Sequence, residues 1–322
     1  MIKWGVIGLG NMGRVFIEEI QKIENVKLIA IASKTNSKLN YFGEKYKIDK
    51  KFRFSQYDDL IKDDNIDAVY ISTLNNTHVD LIFKCVSRNK KILCEKPVSL
   101  NHSEIYKIKN SISGNVFYEA IAYYSSPQTD DLIKIIKDNE VGTIKKIKTS
   151  FGFKVRKVDP ASRLFNKKLG GGVILDLACY PLSFLMLFDE NVEKYKIVKN
   201  NISYALTGVD DQLEAEIIMP NNISAEVKIS FKQNYLNNCT IEGTDGKIII
   251  PNPWLPKEGS YIEVIKKDRS YKQISKTSRS AYSHQIENVS KAFDKKYNFE
   301  KRLFDINKSI KYISFLEKLY SK

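Results

Sequence analysis

The chain has 322 residues, 43% of them apolar, which is enough for two folded cores and excludes a largely disordered protein. Lys and Arg outnumber Asp and Glu by 52 to 38, a formal net charge of +14, but the lysines are scattered and no arginine-rich tail exists, so neither nucleic acid nor a membrane is expected as a partner. Cys85, Cys94, Cys179 and Cys239 form no Cys-x-x-Cys pair, and His78, His102 and His284 have no His-Glu-x-x-His spacing, which argues against a disulfide framework, a zinc site and a catalytic metal.

The N-terminus has no signal-like basic and apolar regions, and no apolar run approaches about 18 residues, so a cytoplasmic location is expected. Ile2 to Leu9 reads as a short buried strand, and Met12 to Ile23 has the apolar spacing of a helix packed on it. Between them stands Gly8-Leu9-Gly10-Asn11-Met12-Gly13. Gly8 permits a tight turn, Gly10 lets the backbone approach a pyrophosphate, and Gly13 lets helix and strand pack closely. The phosphates then meet the free N–H groups of Asn11 and Met12 at the helix N-terminus. The motif alone would be weak in a chain with 15 glycines; its strand–turn–helix context makes it a dinucleotide site.

The second strand, Val26 to Ser33, runs into Ser33-Lys34, with Lys38 one helical turn further on. An NAD-preferring site places a carboxylate there for the ribose diol, whereas a hydroxyl and ammonium groups suit a 2′-phosphate. NADP is therefore the expected cofactor and NAD the alternative; Lys34 can also be one more solvated lysine. Leu39 to Tyr46 follows as a helix, Ala68 to Ser72 as a strand, Val79 to Asn89 as a helix and Lys91 to Cys94 as a strand. Ser103 to Ser111 is helical, Gly114 and Asn115 supply a turn, and Val116 to Ala120 is strand-like. This rhythm predicts a doubly wound parallel sheet, an α/β Rossmann domain over residues 1–121.

Residues 122–322 predict an α+β domain with a largely antiparallel, open-faced sheet. Asp130 to Asp138 is a helix, Ile144 to Phe153 alternates like a strand, and Gly170 to Phe188 is a long apolar segment led by three glycines. From Lys194 to Ile250 strand-like runs alternate with turn residues at Gly208, Pro220-Asn221-Asn222, Asn237-Asn238 and Asp245-Gly246. Tyr282 to Phe293 and Leu303 to Leu319 close the chain as helices. A ligand cleft between the domains is the natural expectation. So is a homodimer, or a dimer of dimers, through the open sheet face, on the premise that this face is apolar.

The glycine motif, Ser72-Thr73-Leu74-Asn75-Asn76-Thr77-His78, Cys94-Glu95-Lys96-Pro97, Glu119-Ala120, the segment from Gly170 through Asp176 and Tyr180 to Pro181, and Gly243-Thr244-Asp245-Gly246-Lys247-Ile248 occur in this order. Together they resemble the Gfo/Idh/MocA family, named for glucose-fructose oxidoreductase, inositol dehydrogenase and rhizopine catabolism. The resemblance covers nearly the whole chain. Inositol dehydrogenase-like members carry a histidine four residues after the aspartate, whereas the branch with dimeric dihydrodiol dehydrogenase, NADP-dependent xylose dehydrogenase and glucose-fructose oxidoreductase carries a tyrosine. This chain has Tyr180.

The resemblance implies hydride transfer between NAD(P) and an aldose, cyclic polyol or dihydrodiol. It also implies that Thr73, Leu74, Asn75 and His78 lie along the cofactor and that Glu95 and Lys96 lie on its nicotinamide side. Leu74 stands where the family usually has proline, and Tyr124-Ser125-Ser126-Pro127 lacks an arginine that many relatives carry, which alters the substrate pocket. Arg163 and Phe165 are candidates to line that pocket.

Oxidising an alcohol removes a hydride and a proton, so a proton acceptor is needed. Tyr180 and Lys96 are the candidates, with Asp176 holding substrate hydroxyls or the lysine. A phenol that ordinarily titrates near pH 10 needs about 3 units, or ~4 kcal/mol, of preferential stabilisation to work near neutrality, and a nearby ammonium acts in that direction. The bland readings stay open: Asp176 as a helix-start carboxylate, Tyr180 as a core aromatic among 18 tyrosines, Lys96 as an exposed lysine before a loop proline, and His78 as a helix-start residue. Two other functions also stay open, a non-catalytic NAD(P)-binding regulator and an NAD-assisted glycosidase.

Overall fold

The computed structural model describes residues 1–112, 114, 116–294 and 302–320; Asn115, expected in a turn with Gly114, lies outside the described residues. The chain forms two compact units, one of Met1–Ser125 with Ala281–Ser309, the other of Ser126–Ser280 with Ile310–Lys322.

In the first unit β1 (Ile2–Ile7), α1 (Asn11–Ile20), β2 (Val26–Ala32), α2 (Asn36–Lys45), β3 (Arg53–Phe54), α3 (Tyr57–Lys62), β4 (Ala68–Ile71), α4 (His78–Val86), β5 (Lys91–Cys94), α5 (His102–Ser111) and β6 (Phe117–Glu119) alternate. The strands form one parallel sheet in the order β3-β2-β1-β4-β5-β6. The order reverses direction at β1 and β4, the place where open α/β sheets bind ligands. On one sheet face Trp4 and Val6 share a core with Phe16 of α1, and the Trp4 and Phe16 rings are 5.3 Å apart. On the other, Gly5 leaves room for Leu60 of α3. The short β3 and α3 were not foreseen, since two residues of strand carry no periodicity to read.

The second unit begins with α6 (Pro127–Lys137), which Pro127 opens at its first position and Ser126 caps through the Thr129 N–H. Then come β7 (Ile144–Gly152), α7 (Val173–Leu177), α8 (Cys179–Leu185), β8 (Lys196–Tyr204), β9 (Asp210–Ile218), β10 (Ser224–Ser230), β11 (Asn238–Gly243), β12 (Gly246–Pro251), β13 (Tyr261–Lys266) and β14 (Ser270–Ile274). These strands make an 8-stranded sheet in the order β14-β13-β12-β11-β7-β10-β9-β8, antiparallel except for the β7–β10 pair. Its inner face carries Ile147, Leu213, Val227, Ile241 and Val264, all buried. Helices α7 and α8 pack on β9, β10 and β7.

The other sheet face corrects one premise. In place of an uncovered apolar surface it presents alternating charges: Lys146 pairs with Glu226, and Lys148 with Glu242 at 2.7 Å. Period-two alternation puts the polar set of every strand on one side, so the face is ionic because the sequence alternates. The long apolar segment is also not one helix, since α7 and α8 meet at Ala178 with a bend of 43°.

The last helices are α9 (Ala281–Phe293) and α10 (Ile306–Tyr320). A division at residue 121 would put α9 with the second sheet, whereas it packs on α1 in the first unit. Phe293 lies 5.8 Å from the Trp4 ring, and the Trp4 Nε1–H donates to Ser290 Oγ at 3.0 Å. Burying an indole this large stabilises by several kcal/mol, of order 3–5 by truncation, and α9 supplies both the apolar wall and the acceptor.

Candidate active site

The glycine turn is built as a phosphate site requires. Gly8 has a φ of +97°, and a Cβ on Gly13 would lie 2.1 Å from the Gly8 carbonyl, so strand and helix can approach only without that side chain. A Cβ on Gly10 would meet nothing within 4 Å, so the turn is open on that side. Gly10 caps α1 without a side chain, which leaves the first N–H groups of the helix, those of Asn11 and Met12 among them, facing outward. Ser72, just past β4, donates to the Gly8 carbonyl at 2.9 Å and so ties the turn to the switch point of the sheet. These residues fit a dinucleotide pyrophosphate.

At the end of β2, Ser33 is buried and its Oγ accepts the Thr35 N–H at 3.1 Å. Lys34 and Lys38 are exposed, and the Lys34 ammonium lies 5.3 Å from the centroid of the Tyr57 ring. Tyr57 escaped the sequence reading because only the β2–β3 pairing brings the start of α3 beside Lys34. An ammonium on a phenol face is held by the ring quadrupole. Burial raises the Tyr57 phenol, which keeps it neutral, and the Lys34 backbone N–H opposes that rise.

The Lys96 turn follows β5, and its Lys96–Pro97 peptide is cis. His78, at the start of α4, is fully buried; its Nδ1 is 2.9 Å from the Pro97 carbonyl and its Nε2 is 3.3 Å from that of Thr73. Burial lowers its basicity, the two carbonyl contacts opposing. A neutral imidazole has one N–H, and the shorter contact assigns it to Nδ1. His78 thus donates to the Pro97 turn, while its unprotonated Nε2 lies against the Thr73 carbonyl without a hydrogen to share. Thr73 Oγ1 is 2.6 Å from Thr77 Oγ1, Asn75 is buried, and Leu74 is 43% exposed.

Glu95 and Glu119 are buried beside the turn. Tyr70 donates to Glu95 in a short hydrogen bond. Glu119 accepts the Val98 N–H at 3.1 Å and the Ser309 hydroxyl at 2.5 Å. Burial pushes the Glu119 carboxyl up to about 7; the Ser309 and Val98 hydrogen bonds pull it down, Glu95 adds to the rise, and Lys96 counters it. Glu119 was visible in the sequence only as a motif letter, and its burial and Ser309 partner were not.

In the second unit Asp176 lies in α7 and Tyr180 in α8, either side of the bend. Asp176 is buried, 8% exposed, and pairs at 3.1 Å with Arg163, which is 52% exposed. The Arg163 segment is locked to the glycine triplet, for the Gly172 N–H donates to the Leu164 carbonyl at 2.9 Å. Tyr180 packs edge-on against Phe151 at 5.1 Å, with Trp254 at 6.1 Å. Phe165 is buried against Phe231. Asp210, which the sequence reading missed, accepts the Ile174 N–H at 2.6 Å and the Tyr320 hydroxyl at 2.7 Å. Gly172 has a φ of +122°, and its Cβ would stand 2.5 Å from Asp210 Oδ1, so the third glycine makes room for that carboxylate to cap α7. Burial raises the Asp210 carboxyl, and its hydrogen bonds oppose the rise.

Residues 2–116 match the profile of an oxidoreductase family with an NAD-binding Rossmann fold, and residues 130–249 match the GFO/IDH/MocA C-terminal domain. The chain belongs to the Gfo/Idh/MocA family. It is therefore an NAD(P)-binding oxidoreductase. Among Gfo/Idh/MocA relatives, the trans-1,2-dihydrobenzene-1,2-diol dehydrogenase of Xenopus tropicalis is 29% identical over 260 residues, 79% of this chain and 77% of that protein. The human enzyme of that name is 25% identical over 264 residues, 80% of this chain and 77% of its own length. The aldose-aldose oxidoreductase of Caulobacter crescentus, solved with glycerol, shares the fold with a TM-score of 0.88 at 19% identity, covering 99% of this chain and 96% of that one. A 3-ketoreductase from Actinomadura kijaniata, solved with NADP and TDP-benzene, does so at 0.86 and 17% identity, covering 99% and 97%. No single helix among the described residues is long and apolar enough to cross a membrane.

Proposed function

We propose that the protein is an NADP-preferring dehydrogenase that oxidises a CH–OH group of an aldose, cyclic polyol or dihydrodiol, or reduces the matching carbonyl. The observation that carries this reading is the charged apparatus around Lys96. Two buried carboxyls, Glu95 and Glu119, flank that turn, and Glu119 accepts the Val98 N–H two residues past Lys96. Ionisable groups buried this way cost stability, so a protein that only bound the cofactor would gain nothing from keeping them. That consideration disfavours a non-catalytic regulator.

The cofactor nicotinamide supplies the hydride transfer when bound. The open side of Gly10 and the N–H groups of Asn11 and Met12 would hold the pyrophosphate. Lys34, steadied on Tyr57, and Lys38 would receive the 2′-phosphate, and the absence of a carboxylate at Ser33-Lys34 removes the group that would repel it. Support for NADP also comes from the Actinomadura 3-ketoreductase, which was solved with that cofactor.

Tyr180 would accept the substrate hydroxyl proton at its Oη during oxidation and return it in reduction. Lys96 would hold the substrate oxygen and favour the phenolate. Asp176, paired with Arg163, would accept hydrogen bonds from neighbouring hydroxyls. The aromatic floor of Phe151 and Trp254 limits the directions in which the phenol can point. The test follows NADPH and NADH absorbance with a panel of aldoses, inositols and trans-dihydrodiols. Turnover with at least one of them, at a kcat/KM about tenfold or more higher with NADP(H), is the expected result. Tight cofactor binding with no turnover, or release of a glycoside's leaving group without net NADPH formation, would overturn it.

A further inference from the structure

Glu119 has no step in the reaction as proposed, yet it is 1% exposed and fully engaged. Its two oxygens reach in different directions. Oε1 accepts the N–H of Val98, two residues past Lys96, and Oε2 accepts the hydroxyl of Ser309. Its backbone is equally committed: the Glu119 N–H donates to Phe304 at 2.9 Å, and Cys94, two residues before Lys96, is its neighbour across the β5–β6 pair. With His78 on the Pro97 carbonyl, the Lys96 turn is therefore gripped at both a donor and an acceptor of its main chain.

The charges around this group are of both signs. Glu95 and Lys96 act on it from the β5 end, with the Cys94 thiol beside them. Tyr70 donates to Glu95 and has Tyr282 near it, while Asp305, paired with Lys308, lies one turn from Ser309.

We propose that Glu119 is a positioning residue whose carboxylate both fixes the Lys96 turn through Val98 and sets, by its own protonation, how firmly Lys96 holds its proton. When Glu119 is ionised the Lys96 ammonium has a buried counter-charge; when Glu119 is protonated that counter-charge disappears. The coupling is reciprocal, since two groups that stabilise each other's charges do so by the same amount. It places a proton-dependent control beside a group the reaction requires, and it rests on the reading of Lys96 as the residue that holds the substrate oxygen.

The test separates the coupling from that reading. The Glu119 carboxyl is followed by carbon-13 NMR against pH in the full-length protein without added cofactor, its resonance assigned by its loss in E119Q. In K96M the inflection moves up by about one unit, a tenfold change in proton affinity, because the favourable cation is gone. In E95Q it moves down, and in S309A it moves up by more than in K96M, because the Ser309 hydroxyl is the strongest donor to the carboxylate. An inflection unchanged in K96M overturns the proposal, and this readout needs no turnover. Activity then gives the second arm: with NADPH and a turned-over substrate, E119Q loses or displaces by about a unit the inflection of the kcat profile between pH 6 and 8, with KM for NADPH within about threefold of the wild type. Profiles that superimpose on the wild type would equally overturn it. Normal turnover by K96M alongside a shifted Glu119 resonance would instead remove the reading of Lys96 and leave the coupling standing.

Discussion

The Lys96 turn and the Asp176–Tyr180 segment solve different problems with different materials. Around Lys96 the side chains are buried and ionisable, and hydrogen bonds from Glu119 and His78 hold the main chain itself. Around Tyr180 the surroundings are aromatic, the one close ion pair reaches a half-exposed arginine, and a distant carboxylate, Asp210, fixes the helix start. The first arrangement makes charge sensitive to small changes in protonation, because a buried charge is poorly screened. The second fixes geometry through ring packing and a capped helix, which hold the Tyr180 phenol in place without adding buried charges beneath it. Substitutions near Lys96 should therefore change pH profiles, and those near Tyr180 should change turnover and substrate choice at every pH.

The largest effect expected is at the chemistry itself. Tyr180→Phe and Lys96→Met should each lower kcat/KM by about 10² to 10⁴ with the melting temperature nearly unchanged, and the proposed roles predict that Y180F loses the inflection of the proton-exchanging phenol while K96M displaces it towards higher pH. Steady-state kinetics across pH on both variants checks this, and identical pH dependence in the two would break the contrast.

A second prediction concerns stability. The Glu119 carboxyl sits at about 7 in the folded protein against an ordinary 4.5. Between those values the folded chain keeps a proton that the unfolded chain has released, so this group's contribution to stability is fully present below about 4.5 and lost as pH rises through 7. The full difference is about 3 kcal/mol. Urea unfolding of the wild type and E119Q should thus show a stability difference that changes across this window and is flat outside it. A smaller effect is expected at the other region: Asp210→Asn keeps one acceptor for the Ile174 N–H but weakens the bond to the Tyr320 hydroxyl, and should destabilise by about 1–2 kcal/mol at any neutral pH. A D210N–wild-type difference that changed with pH across that window, as the E119Q–wild-type difference does, would erase the distinction.

How much was legible beforehand followed the range of the forces involved. The glycine turn, the alternation of strand and helix and the basic end of β2 are local patterns, and each could be read where it stood. Tyr57, Ser309 and Asp210 were invisible because each acts on a residue far away in the chain: Ser309 reaches Glu119 across 190 positions and Asp210 reaches Ile174 across 36. His78 was named for the cofactor, while in the fold its ring lies buried between the carbonyls of Thr73 and Pro97 and donates to the latter. Nothing in a helix-start histidine reveals which backbone will lie beside it.

Sequence alone determined where the chain would turn, which faces would be apolar and which redox family it belongs to, because steric permission at glycine and the periods of helix and strand are properties of neighbouring residues. Tertiary structure alone decided that α9 completes the first core against Trp4, that the apolar segment breaks at Ala178, and that the outer sheet face closes into Lys–Glu pairs. It also decided that Glu119 would be buried beside Lys96. Burial and charge proximity are sums over everything that packs around a group, and those neighbours are assembled from the whole length of the chain.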